Sequence, residues 1–198
     1  MASENQKKLI VFDVEGVLIP KVRFVLFEVA AKIGPWAFMK AAFFGILYES
    51  SIISLKKTLR SLYGLFKGIS LERFVSVFQG MPLMPGVITV FRDLKESGFK
   101  IALVSSGIPR VALDRMNERL GADYVSGLEI GLSDGLLTGD IWGDVIEPEG
   151  KAVALSKILG SGGMPNCYCI GVADDRNNLP LFQLCNLKIG YNPDFILT

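Results

Sequence analysis
The 198-residue sequence predicts an α/β protein, a doubly wound, Rossmann-like parallel sheet with an all-helical segment inserted after its first strand. Three observations carry this expectation. Short continuous apolar runs, the pattern of strands covered on both faces, alternate with stretches of helical periodicity. The first of these runs, Leu9-Ile10-Val11-Phe12, ends in Asp13-Val14-Glu15-Gly16, two carboxylates one residue apart followed by a glycine. Between it and the next strand-like run, residues 21–79 show helical spacing only.

Taken in order, the first run reads as a buried strand delivering Asp13 where the sheet stops and ligands bind, with Glu15 on the loop beyond. Apolar residues recur at three- and four-residue intervals in VRFVLFEVAAKI, SLKKTLRSLYGLF and LERFVSVF. Breaks at Gly34-Pro35, Glu49-Ser50-Ser51 and residues 68–70 divide this stretch into about four helices. A helix over 86–97 leads through Gly98 to a second strand, Lys100-Ile101-Ala102-Leu103-Val104, which ends in Ser105-Ser106-Gly107; residues 109–120 are again helical. Residues 125–145, punctuated by Asp134-Gly135 and Gly139-Asp140, read as a small antiparallel excursion. A helix over 151–159, a buried strand over 168–173, a helix over 179–184 and a short strand, Lys188-Ile189-Gly190, complete the alternation. Residues 1–16 and 83–198 are thus expected to form the α/β core, and residues 17–82 a helical cap standing over the carboxyl edge of the sheet.

Half of the residues are apolar, enough for one well-buried core with a modest insertion. The 21 Lys and Arg are scattered among 20 acids for a net charge of +1, which argues against a nucleic-acid surface. Cys167, Cys169 and Cys185, an odd count with no Cys-x-x-Cys spacing, suit reduced thiols in the cytoplasm. The sequence has no histidine, which removes histidine acid–base and metal chemistry. Residues 1–8 are polar and lack the apolar core of a signal peptide, so no export is expected. The most apolar segment, residues 35–48 (PWAFMKAAFFGILY), is shorter than the ~20 residues a transmembrane helix needs. It is expected as a buried or partly buried helix; the other reading is a face that meets a membrane, a second protein or a second copy of the chain.

Four signals stand in order at strand ends or helix starts: Asp13-Val14-Glu15-Gly16, Ser105-Ser106-Gly107, Lys151, and Asp174-Asp175-Arg176-Asn177-Asn178. Each alone is weak, because an Asp after a strand is often a helix cap and Ser-Ser-Gly is often a turn. Parallel strands, however, would bring all four to the same edge. With this order and strand context the sequence resembles the haloacid dehalogenase-like superfamily of phosphohydrolases, and within it the phosphoserine phosphatase branch with a helical cap. Asp13-Val14-Glu15-Gly16-Val17 is similar to the family's first motif, Ser105 to its second, Lys151 to its third, and Asp174 with Asn178 to its fourth. Leu137-Thr138-Gly139-Asp140 resembles the family's excursion ahead of the lysine, so the resemblance covers nearly the whole chain.

The resemblance implies a Mg²⁺-dependent hydrolase of small phosphate monoesters acting through an aspartyl-phosphate, with Asp13 as nucleophile and Glu15 as acid and base. It implies Mg²⁺ ligands in Asp13, the Glu15 main-chain carbonyl and Asp174, with Asp175 and Asn178 behind them. Ser105, the amides of Ser106 and Gly107, and Lys151 are the implied phosphate-binding groups.

Departures from the family pattern bear on function. Glu15 stands where most members have Asp; it keeps the acid–base chemistry with one more methylene, the alternative being a solvated loop acid. Asn178 stands where Asp is usual, so weaker or altered Mg²⁺ binding is expected, with Asp175 either compensating electrostatically or capping the following helix. The acid that holds the substrate ammonium in phosphoserine phosphatases would fall near Val22, flanked by Lys21 and Arg23, and Arg60 lies near the place of the carboxylate-binding arginine. Arg23 and Arg60 are therefore the candidate substrate contacts, and an anionic or apolar distal group suits these residues at least as well as phosphoserine. Two other readings are a phosphotransferase using the same intermediate, and a non-catalytic binding protein whose apolar cap engages a protein partner or membrane. Members of the fold usually continue past residues 187–190 with a further helix and strand, so the ending at Thr198 reads as an abbreviated edge or as a fragment of a longer protein.

Overall fold
The computed structural model describes residues 6–20, 25–161, 164 and 166–192. At its centre lies β1 (Lys8–Asp13), in which the consecutive residues Leu9, Ile10, Val11 and Phe12 are all buried. Successive strand side chains point to opposite faces, so both faces of this strand are covered. β2 (Phe99–Pro109), β3 (Tyr124–Ser133), β4 (Leu136–Trp142), β5 (Tyr168–Ala173) and β6 (Leu187–Gly190) complete a six-stranded sheet in the order β4-β3-β2-β1-β5-β6. Every described neighbour pair is parallel except β3 with β4. The chain moves outward from β1 through β2 and β3, then crosses back to β5 on the other side, so the order reverses at β1, where open α/β sheets bind ligands.

Register does the rest of the positioning. Asp13 pairs with Val104 and Phe12 with Val172, so Ser105 on β2 and Asp174 after β5 each fall one residue beyond the level of Asp13. Between the strands run α5 (Val87–Glu96), α6 (Arg110–Leu120), α7 (Gly150–Ser161) and α8 (Leu179–Gln183). Phe91 of α5 stacks on Phe12, with ring centroids 5.0 Å apart.

The segment between β1 and α5 contains α1 (Val25–Ile33), α2 (Pro35–Glu49), α3 (Leu55–Gly64) and α4 (Leu71–Gln79), separated where the sequence breaks predict. Pro35 opens α2, where its missing N–H costs nothing, and Ser54 and Ser70 cap α3 and α4 by accepting from the amides of Lys57 and Arg73. Inside, Tyr63, Phe66, Phe74 and Phe78 form a fully buried aromatic cluster, with Phe74 at 5.1–6.0 Å from the other three ring centroids. These helices rest on the β3–β4 hairpin through backbone bonds from Gly68 to Leu137 (2.8 Å), Leu137 to Ile69 (2.9 Å) and Leu71 to Gly135 (3.0 Å). Gly139, at φ +90°, permits this approach: a Cβ there would stand 3.2 Å from the Gly64 Cα.

Two expectations need correction. β2 continues to Pro109 instead of stopping before Ser105; it leaves register with β3 after Val104, stays extended and buried, and pairs again at Pro109 with Leu128. The region expected as an antiparallel excursion divides differently, because β3 joins the main sheet parallel to β2 and only β4 runs antiparallel. Its turn is Asp134-Gly135, both at positive φ (52° and 75°) as a two-residue hairpin turn with matching twist requires, whereas Gly139-Asp140 lies within β4. As expected, the apolar segment 35–48 is a partly buried helix, α2; it turns Ala37, Ala41 and Gly45 inward and Trp36, Met39, Phe43 and Ile46 outward, while Phe44 packs against the core.

Phe74→Ala should destabilise the fold by about 3–5 kcal/mol through the cavity it opens in the aromatic cluster. The check is the shift in the midpoint of chemical unfolding at constant m-value.

Candidate active site
β1 ends on Asp13, whose side chain is buried and held on both oxygens. Oδ1 accepts from the Val14 amide at 2.8 Å, and Oδ2 accepts from the Lys151 ammonium and the Asn178 amide group, each at 2.6 Å. Lys151 also donates to the Asn178 Oδ1 at 2.9 Å, closing a triangle of three buried polar side chains. The ammonium arrives from the first turn of α7, behind Gly150, where any Cβ would overlap the Asp144 carbonyl. Burial pulls the Lys151 pKa down, but the charges of Asp13 and Asp175, the hydrogen bond to Asp13 and the charge of Glu15 outweigh it and hold the amine above its ordinary 10.5.

Asp174 and Asp175 follow directly on β5. One carboxylate oxygen from each, with one from Asp13, forms a set lying within 4.8 Å of one another. The Asp174 carboxylate lies against the Cα of Gly16, which at φ +82° has no Cβ to collide with it. Three carboxylates this close repel one another unless a cation stands among them, and hard oxygen donors at this spacing fit a small divalent ion. Asp175 in addition caps the short 3₁₀ turn 176–178, its Oδ1 accepting from the Asn177 amide at 3.1 Å and from the Asn178 side chain at 2.8 Å. Of the two roles weighed for Asp175, the geometry shows the cap, and it places the carboxylate beside those of Asp13 and Asp174.

On the neighbouring strand the Ser105 Oγ accepts from the amides of Gly107 (3.2 Å) and Ile108 (3.0 Å). Tyr63 of α3 reaches across and donates its hydroxyl to the Gly107 carbonyl at 2.8 Å. Glu15 is only partly exposed, on a tight turn in which the amides of Leu18 and Ile19 both return to the Val14 carbonyl at 2.9 and 3.1 Å. Its carboxylate packs on the Cα of Gly107, so closely that a Cβ at residue 107 would overlap it. Burial first, and then the charge of Glu15, push the Tyr63 hydroxyl well above its ordinary pKa of 10.0. The Glu15 carboxylate thus lies half-buried between Gly107 and Tyr63.

Asp13, Glu15, Ser105, Ser106, Gly107, Lys151, Asp174, Asp175 and Asn178 thus gather at one edge of the sheet, as the order of the motifs implies. One detail differs from expectation: the Gly107 amide, expected to face an anion, is turned onto Ser105. The Asn178 amide bridges Lys151 and Asp13. Arg60 is exposed on α3, lining a cavity of about 450 Å³ with Ser54, Lys56, Lys57 and Ser61, and no ion pair described joins it to the acidic cluster. Arg23 lies outside the described residues. Sequence reasoning missed Tyr63 and also Tyr48 of α2, whose hydroxyl accepts from Asn177 at 2.8 Å. The available signal was a hydroxyl within an inward stripe of Leu59, Leu62 and Phe66, since a buried tyrosine needs a partner for its O–H.

The family profile described as haloacid dehalogenase-like hydrolase matches residues 10–183. The chain belongs to this family. Within it, the chain is phosphoserine phosphatase-like. It is 30% identical over 196 residues to a phosphoserine phosphatase of Archaeoglobus fulgidus, a match that covers 98% of this chain and 55% of the relative. It is 28% identical over 190 residues to the phosphoserine phosphatase of Methanocaldococcus jannaschii, covering 95% of this chain and 87% of that one. The chain accordingly spans about half the length of the first relative and most of the second. A solved structure described as a phospho-aspartyl intermediate analogue of phosphoserine phosphatase matches with a TM-score of 0.81 and 25% identity, over 98% of this chain and 90% of that one.

Asn178→Ala should cost about 1–3 kcal/mol, because Asp13 and Lys151 each lose a buried partner that water cannot replace. Denaturant unfolding of the variant against the parent measures the loss.

Proposed function
We propose that this haloacid dehalogenase-like chain is a Mg²⁺-dependent phosphomonoester hydrolase that works through an aspartyl-phosphate at Asp13 on a small phosphorylated metabolite. The observation that carries the reading is the Asp13 carboxylate at the switch point of the sheet, held by Lys151 and Asn178 and lying within 4.8 Å of the Asp174 and Asp175 carboxylates. The phospho-aspartyl description of the solved relative supports the same intermediate.

Asp13, the Glu15 main-chain carbonyl and Asp174, with Asp175 adjoining, are the groups that would hold the metal, which when bound supplies the positive charge that lets a carboxylate approach a phosphoryl group. Lys151 adds a second cation and, through its bond to Oδ2, fixes the orientation of the attacking carboxylate. Asp13 attacks phosphorus as the ester oxygen leaves, and Glu15 gives that oxygen its proton. The Glu15 carboxylate then takes a proton from the water that cleaves the aspartyl-phosphate, which frees inorganic phosphate and restores both side chains. Ser105 accepts two amides and so has its own O–H to offer a phosphoryl oxygen.

Residues 17–82 act as the cap. Tyr63 on Gly107 and Tyr48 on Asn177 are two hydrogen bonds by which its helices α3 and α2 reach the catalytic edge and shield it from bulk water. Arg60, with the neighbouring Lys57, and Arg23 supply positive charge for an anionic distal group on the substrate. The working compartment is the cytoplasm, where three thiols stay reduced.

With 4-nitrophenyl phosphate and Mg²⁺ the chain should release phosphate, chelation should stop it, and added Mg²⁺ should restore it. Asp13→Asn should fall to background, and Glu15→Gln should lower kcat by roughly 10²–10⁴-fold. Full turnover by Asp13→Asn would falsify the aspartyl-phosphate route. Replacing Tyr63 by Phe should slow turnover while leaving the unfolding free energy within about 1–2 kcal/mol of the parent, since one buried bond to Gly107 is lost.

A further inference from the structure
We propose that the outer face of α2 docks on the surface of an anionic lipid bilayer, with the helix lying in the interfacial plane. Trp36, Met39, Phe43 and Ile46 are 57–65% exposed and follow one another at intervals of three, four and three residues, which places them along a single line on the helix. Ile52, just past the helix end, is 68% exposed. The opposite face is built from Ala37, Ala41 and Gly45, so small that the Phe27 ring sits where a Cβ on Gly45 would stand. A surface helix of a water-bathed domain has the reverse arrangement, large apolar residues inward and polar ones outward. α2 instead leaves four large apolar side chains where a water-bathed helix carries polar ones.

Charge selects the lipid. From residue 31 to residue 48 the only charged side chains are Lys32 and Lys40. The Lys40 Nζ lies 5.1 Å from the Trp36 ring centroid, so its stem runs along the apolar line while the ammonium reaches past it. Positions 17–82 carry nine Lys and Arg against three Glu, a net +6, and the remainder of a chain whose total is +1 carries −5. A basic segment presenting an apolar stripe fits anionic headgroups over an acyl boundary. A second copy of the chain is the alternative occupant of this stripe, and the oligomeric state separates the two. Among the described residues no helix is long and apolar enough to cross a membrane, so the contact is one of lying on the bilayer. The same helix carries Tyr48, bonded to Asn177 beside the acidic cluster, so docking would hold the catalytic edge close to the lipid surface.

The test uses the full chain with Trp142→Phe, which leaves Trp36 as the sole tryptophan. Vesicles of phosphatidylcholine and phosphatidylglycerol at roughly 7:3 are compared with pure phosphatidylcholine. The expected result is co-sedimentation with the anionic vesicles and a blue shift of Trp36 emission, both weakened at high salt. In Phe43→Ser/Ile46→Ser, whose sites are exposed and whose unfolding midpoint and 4-nitrophenyl phosphate turnover should match the parent, vesicle binding should weaken roughly tenfold or more. No association of the parent with either vesicle overturns the proposal, as does association that the double substitution leaves unchanged. Light scattering that shows a dimer broken by the double substitution, with no vesicle binding, overturns it in favour of a second copy.

Discussion
The site depends on a buried ion pair, Asp13 with Lys151, made 2.6 Å long and tied to Asn178 by both partners. Burying one charge of such a pair without the other costs about 3–5 kcal/mol, so each side chain is a condition for the other's presence. The two come from segments far apart in the chain, the tip of β1 and the first turn of α7, and Asn178 comes from a third, the turn after β5. Three separate segments must therefore arrive together before any is satisfied. That requirement turns the strand register, with Ser105 and Asp174 one residue past Asp13, into a constraint on the whole carboxyl edge.

The helical insertion is tied to this edge by chemistry as well as by packing. Tyr63 places a hydroxyl among the fully buried aromatics of α3 and α4, and its donation to the Gly107 carbonyl satisfies a group that burial would otherwise penalise. Tyr48 makes the corresponding contact from α2 to Asn177. The β3–β4 hairpin adds a third support through backbone bonds to residues 68–71. A helix that reaches the site at one end and exposes an apolar line along its length thus joins the proposed chemistry to the proposed surface.

Much of the fold was legible in the residues. Runs such as Leu9-Ile10-Val11-Phe12 can bury both faces only between parallel neighbours, and Gly34-Pro35, Ser54 and Ser70 end or begin helices for local reasons. Less legible was the stretch 105–109, where a Ser-Ser-Gly that looks like a turn stays extended because Pro109 rejoins the ladder at Leu128. Likewise Gly139 looks like a turn residue and is instead a clearance for the Gly64 backbone, a neighbour far away in sequence. The inward stripe on α3 read as core, and its tyrosine gave no indication of which carbonyl it would find.

By itself the sequence determined the alternation of strands and helices, the place of the helical insertion and the identity of the acidic, hydroxyl and ammonium side chains, because these follow from periodicity and from short motifs whose causes are local. Only the tertiary structure decided that Asn178 bridges Asp13 and Lys151, that Glu15 lies on Gly107 beside Tyr63, and that α2 turns Ala37, Ala41 and Gly45 inward and Trp36, Met39, Phe43 and Ile46 outward. Helical periodicity does not say which side of a helix apolar all round will be covered, and hydrogen-bond partners separated by more than a hundred residues are chosen by register and packing, which no local pattern encodes.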